Sequence, residues 1–121
     1  MKPRALWSAL QASANTYPYE FLGLFRGEVK DEVVTIDELI IAPLASYQRN
    51  HSSFSDWHLP INMGIVASFH SHPDSIPRPS RQDLQFFTRN GACHFIAASP
   101  YQVENVRAYD TKGRPVQFTM V

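Results

Sequence analysis

The chain has 121 residues, 44% of them hydrophobic, with eleven basic and eleven acidic side chains and a formal net charge of zero. That length and composition suit a single sizeable core and exclude a disordered chain. The charge balance implies no electrostatic pull toward nucleic acid or a membrane surface, and one cysteine, Cys93, excludes an internal disulfide or a cysteine-rich zinc knuckle.

No apolar stretch approaches the ~20 residues of a membrane-spanning helix. Met1 to Gln11 is interrupted by polar residues, unlike a secretory leader. The expectation is a cytoplasmic protein made of one domain, residues 1–121.

Residues 3 to 16 read as an amphipathic helix. Leu6, Leu10 and Ala14 recur every four residues with Trp7 beside them, Pro3 suits the first turn, and Tyr17-Pro18 ends it. Glu20 to Gly27 reads as an apolar strand that begins with an acid, and Gly23 and Gly27 mark a close backbone approach and a turn. A lone glutamate there is ordinarily a solvated strand end. The acidic stretch Glu28 to Glu32 reads as a turn, and residues 32 to 42 as a second strand, interrupted near Asp37-Glu38 and closed by Pro43.

Residues 44 to 62 are polar and irregular, with Phe54 and Trp57 mixed in. Long loops in compact domains are often functional, so these aromatics are weak candidates for substrate contact, against the plain alternative that they fold back on the core. Residues 64 to 72 form the third strand. Ser80 to Asn90 reads as a helix with Leu84, Phe86 and Phe87 on its buried side and Asn90-Gly91 as its C-cap. Ala92 to Ser99 is a nearly continuous apolar run and hence a central strand, in which Cys93 is a small hydrophobe and His94 a hydrogen-bonded structural histidine. Residues 103 to 109 and 115 to 120 alternate like strands around an Asp110 to Gly113 turn. The order predicts a mixed α/β domain, a curved β-sheet flanked by two helices.

Chemistry concentrates after the third strand. Alternate side chains of a strand share a face, so His70 and His72 point the same way, and Pro73 ends the strand. Two histidines and a carboxylate are a ligand set for a catalytic zinc with water in the fourth position. Asp74 and Asp83 both compete to be the third ligand. Pro73 leaves the direction of Asp74 open, whereas a first-turn helical side chain at Asp83 aims back at the strand end, which favours Asp83. Each piece also has a bland account: Ser80-x-x-Asp83 is a plain helix cap, and histidines at a strand end are ordinary polar rim residues.

The combination is more specific than its parts. His70-x-His72-Pro73, six residues, Ser80, two residues and Asp83 resembles the motif of the JAMM (MPN+) metalloproteases, which add an upstream glutamate in a stretch like Tyr19-Glu20-Phe21-Leu22-Gly23-Leu24-Phe25-Arg26-Gly27. Five fixed positions, each with a background frequency of roughly 2–7%, rarely coincide by chance. The resemblance runs from about residue 3 to the C-terminus and is nearest to short, single-domain members of archaeal type. It implies that His70, His72 and Asp83 bind one Zn2+ per chain, that Glu20 is the general base and later acid, and that Ser80 hydrogen-bonds the oxyanion. Ser71 faces the other side of the strand and is structural.

The implied fold is akin to that of the zinc-dependent cytidine deaminases. Deamination is set aside, because those enzymes use a His/Cys-x-x-Cys zinc set that one cysteine cannot supply. The implied activity is a peptidase or isopeptidase cutting after the C-terminal Gly-Gly of a ubiquitin-like modifier or sulfur-carrier protein, with the enzyme a monomer or weak homodimer. A zinc peptidase acting on small peptide or amino-acid conjugates, and a non-catalytic MPN scaffold, are the alternatives.

Overall fold

Pro3 opens helix α1 (Pro3–Thr16), where no N–H is needed, and Tyr17 leaves the helical region one residue before Pro18. In this computed structural model, residues 1–41, 64–74, 76, 78–81, 83, 84 and 92–120 are described. The buried face of α1 is Ala5, Leu6, Ala9, Leu10, Ser13 and Thr16. The expected four-residue stripe holds at Leu6 and Leu10 but fails at Ala14, which is exposed, and Trp7 is 62% exposed. A helix turns every 3.6 residues, so a strict spacing of four drifts off the face, and Ser13 takes the third place. Ser13 Oγ donates to Ala9 O at 2.8 Å and Thr16 Oγ1 to Ala12 O at 3.0 Å, so neither hydroxyl is buried without a partner.

Strands β1 (Leu22–Lys30), β2 (Val33–Ile41), β3 (Ile65–His72), β4 (Cys93–Ala98), β5 (Val106–Asp110) and β6 (Pro115–Val116) form one sheet in the order β2-β1-β3-β4-β5-β6. Only β3 and β4 run parallel; the other neighbours are antiparallel. The mixed α/β class is therefore as expected.

Several boundaries differ from the sequence-based expectation. The acidic stretch is mostly strand, because Asp31 and Glu32 alone take positive φ (51° and 66°) and make a two-residue hairpin turn. β2 is continuous through Asp37-Glu38. The register passes from Arg26↔Glu38 to Gly27↔Ile36, leaving Asp37 as the extra residue of a bulge. Gly27 lies in that bulge, not in a turn; a Cβ there would fall 1.7 Å from Thr35 O. Val103–Asn105 is a 3₁₀ turn before β5. The expected strand over 115 to 120 shrinks to two residues because the tail leaves β5, putting Phe118 edge-on to Phe95 (5.2 Å).

Strand alternation divides the sheet into two faces. On the α1 side lie Phe21, Phe25, Phe69 and Phe95, with ring centroids 5.6 to 6.0 Å apart, beside Leu6, Ala9, Leu10, Ala97 and Ala108. The opposite face carries Leu22, Leu24, Ser68, His70, His94 and Ile96, all buried. Met1 and Lys2 show that the sheet curls. The N-terminal ammonium donates to Thr119 O at 3.0 Å and Lys2 N to Ile36 O at 2.9 Å. Two adjacent residues thus reach β2 and the tail beyond β6, which a flat six-stranded sheet would hold about 24 Å apart.

Arg81, Asp83 and Leu84 are helical, in keeping with a helix beginning after Ser80; its continuation to Asn90 lies outside the described residues, as do 44 to 62 with Phe54 and Trp57. Leu84, expected on the buried side, is 37% exposed, because Asp83 takes the inward position of that turn. No helix among the described residues is long and apolar enough to cross a membrane.

The β1–β3 register is pinned at its end by Ser71. Phe21 N donates to Ser71 Oγ at 2.7 Å and Ser71 N to Phe21 O at 2.9 Å, with both residues buried. Ser71→Ala leaves the Phe21 N–H buried without an acceptor and lowers unfolding free energy by about 1–3 kcal/mol. Urea titration checks this; a loss below about 0.5 kcal/mol would show that the pin is dispensable.

Candidate metal centre

The pinned register assembles the site. Leu22 pairs with His70 in antiparallel fashion, so continuing the ladder by two residues sets Glu20, just before β1, across from His72 at the end of β3. His70 and His72 share the face opposite α1, as expected for i and i+2, and Ser71 faces the other way. The His70 side chain is fully buried, and that of His72 is 13% exposed.

Asp83 arrives from the helix start. Ser80 Oγ accepts from Asp83 N at 3.1 Å, and Asp83 Oδ2 accepts from Ser80 N at 2.8 Å. This reciprocal pair is a capping box. The bland account of Ser80 and Asp83 is therefore correct, and it is also what aims the carboxylate. Asp83 is fully buried, its Oδ2 lies 3.1 Å from His72 Nε2, and its Oδ1 lies 3.9 Å from His70 Nδ1. Asp74 does not join them. It is exposed, and its Oδ1 accepts from Ile76 N at 2.9 Å in a local turn. Of the two carboxylates weighed from the sequence, the geometry brings the preferred one, Asp83, to the histidines.

Sequence reasoning missed the group that orients His72. Ile76 O lies 3.2 Å from His72 Nδ1. A carbonyl only accepts, so Nδ1 carries the proton and Nε2 faces Asp83. A backbone oxygen leaves no side-chain signature, so no motif could have revealed it. Ser99 N, which donates to His72 O at 3.2 Å and Asp74 O at 3.0 Å, likewise ties the end of β4 to the site through backbone alone. His94 behaves as expected, its Nδ1 2.6 Å from Ser68 Oγ in the buried layer behind His70.

Burial opposes charge on both Asp83 and His72, but their pairing overrides it. Asp83 is held well below the usual carboxylate range by the His72 hydrogen bond, the nearby His70 and the Ser80 N–H. His72 is raised above its ordinary value by the hydrogen bond and charge of Asp83, by Ile76 O, and by the charge of Glu20, which places that carboxylate within electrostatic reach of the histidine. Burial pushes the Cys93 thiol up to about 11, which disfavours the reactive thiolate.

Among the described residues, no three His, Cys, Asp or Glu side chains stand spaced as a finished coordination shell. The donor set nevertheless suits zinc. Two imidazoles and a carboxylate converge in a buried layer, and one imidazole has its second nitrogen anchored on a carbonyl, as zinc-ligating histidines commonly do. Two donors each about 2.0–2.2 Å from a shared tetrahedral centre lie about 3.4 Å apart, close to the observed 3.1 Å between His72 Nε2 and Asp83 Oδ2. His72 and Asp83 are thus spaced as a ligand pair, and His70, with Nδ1 3.9 Å from Asp83 Oδ1, would be the third donor after side-chain adjustment.

Comparison with known proteins gives the same direction. Residues 3–112 match the family described as prokaryotic homologs of the JAB domain. A probable metalloprotease of Haloferax volcanii is 39% identical, over 90% of this chain and 71% of its own length. The crystal structure of a JAB1/MPN domain protein from Archaeoglobus fulgidus superposes with a TM-score of 0.77 at 35% identity, covering 100% of this chain and 99% of that one. A solved structure described as JAMM, a metalloprotease-like zinc site in the proteasome and signalosome, gives 0.71 at 32% identity over 96% and 90%. With its curled sheet, its paired histidines on β3 and its capping-box aspartate, the chain belongs to the JAMM/MPN family, among the prokaryotic JAB-domain proteins.

Proposed function

We propose that the protein is a zinc-dependent peptidase or isopeptidase that cuts after a C-terminal Gly-Gly of a ubiquitin-like modifier or sulfur-carrier protein. The observation that carries the catalytic part is the convergence of Asp83 on His70 and His72, with Glu20 set across the strand pair from His72. The substrate class rests on the family resemblance and on the physical suitability of a glycine tail, which lies extended and passes where side chains would clash.

In this reading His70, His72 and Asp83 hold the metal, and two of them are held in a prepared orientation: Ile76 O fixes His72, and Ser80 N fixes Asp83. Bound zinc would supply Lewis acidity and a water whose pKa falls to about 7. Glu20, at the mouth of β1 and outside the ligand set, takes the proton from the attacking water on its carboxylate and hands it to the leaving amine. Ser80 Oγ accepts from Asp83 N and so keeps its own O–H to donate to the oxyanion of the tetrahedral intermediate. Cys93 takes no part.

Three measurements test this assignment. Glu20→Ala retains zinc by metal analysis but loses roughly 10²–10⁴ in kcat; loss of zinc in that variant would mean Glu20 is a ligand. Asp83→Ala lowers zinc content while Asp74→Ala leaves it unchanged, and the reverse pattern would transfer the ligand role to Asp74. The wild type cleaves Gly-Gly-tailed modifier fusions, and a chelator stops it. Cleavage of short peptides alone would sink the modifier reading and leave a small-conjugate peptidase.

A further inference from the structure

Tyr101 is a buried polar group that the reading above does not use. It follows β4 at the sheet end where β3 delivers His72, and it is only 6% exposed. Its backbone sits in the left-handed region, φ 67°, which a bulky side chain rarely adopts, with its N–H donating to Ala98 O at 2.8 Å. Among the described residues its Oη has no hydrogen-bond partner. Buried hydroxyls in native proteins are nearly always hydrogen-bonded, so this one calls for a partner, a bound water or a ligand.

The surroundings say where that hydroxyl is directed. The Tyr101 ring meets the Tyr17 ring edge-on at 6.4 Å, and Tyr17 is 55% exposed at the start of the segment leading to Glu20. Burial first, then Tyr17 and the charges of Asp74 and Glu20, hold the Tyr101 hydroxyl above its ordinary pKa. The group is therefore a donor screened from water and bordered by an exposed aromatic ring, at the sheet end where Ala98 pairs with His72.

A Gly-Gly tail has no side chains, so its only polar handles are its peptide N–H and C=O groups. We propose that Tyr101 is a substrate-positioning residue whose hydroxyl donates a hydrogen bond to a main-chain carbonyl of the extended tail at the sheet end shared with His72, with the Tyr17 ring as the outer wall of that subsite. This rests on the Gly-Gly reading. It gives the left-handed backbone and the buried hydroxyl one purpose, a fixed donor that sets the register of the tail.

Tyr101→Phe tests it, because the ring and its packing stay while the donor goes. Zinc-loaded wild type and variant are compared on a ubiquitin-like domain ending in Gly-Gly fused to a reporter protein, alongside thermal unfolding. The variant shows KM raised about three- to tenfold, kcat within about twofold, and a thermal midpoint equal to or above wild type, since no satisfied bond is lost on folding. An unchanged KM overturns the proposal, whether the midpoint falls (a structural hydroxyl) or kcat falls (a hydroxyl acting on Glu20). If wild type itself leaves the fusion intact, the Gly-Gly reading fails and this proposal fails with it. Wild-type cleavage with an unaltered variant removes Tyr101 alone.

Discussion

The two hydrogen bonds between Phe21 and Ser71 set the geometry on which the candidate centre depends. They close the β1–β3 ladder at the end that carries His70 and His72 and toward which Glu20 leads. A strand's side chains alternate, so a one-residue slip would turn both histidines toward α1 and carry Glu20 away from His72. The phenylalanine layer guards the same register from the other face, since Phe21, Phe25 and Phe69 fit together only when the strands are in this alignment.

The site also shows how ordinary local structure can orient unusual side chains. Ser80 and Asp83 form a capping box, a device found at many helix starts. Here one carboxylate oxygen both caps the helix and faces His72, so folding the helix start orients the donor without a dedicated scaffold. His72 is turned by Ile76 O, and the chain after β3 is tied down by Ser99. Such supporting contacts hold side chains in place before any ligand binds, at little entropic cost on binding.

The pairing of Asp83 with His72 has a further consequence. Burial alone would push both groups toward neutrality, and their pairing instead shifts Asp83 down and His72 up. The centre is thus a buried cluster in which an electrostatic contact is stronger than in water. Tyr101 follows β4 at the same sheet end, whereas Ser68 and His94 pair with one another in the buried layer behind His70.

The sequence by itself determined the class of the fold, the strand carrying His70 and His72, the common face of those residues and the structural side of Ser71. These follow from periodicity and from proline breaks, which act over a few residues. The five-position motif marked Glu20, Ser80 and Asp83 as well. Local pattern was silent or misleading where distant segments decide the outcome. The register that sets Glu20 opposite His72 arises from strands about fifty residues apart. Asp83 rather than Asp74 approaches the histidines because Ile76 N captures Asp74 in a turn. Ala14 lost its place on the buried face to Ser13, and the last strand shortened because the tail serves the core and the N-terminus instead. Tyr101 had no motif to announce it, because burial of its hydroxyl near the end of β3 exists only once β4 lies against β3.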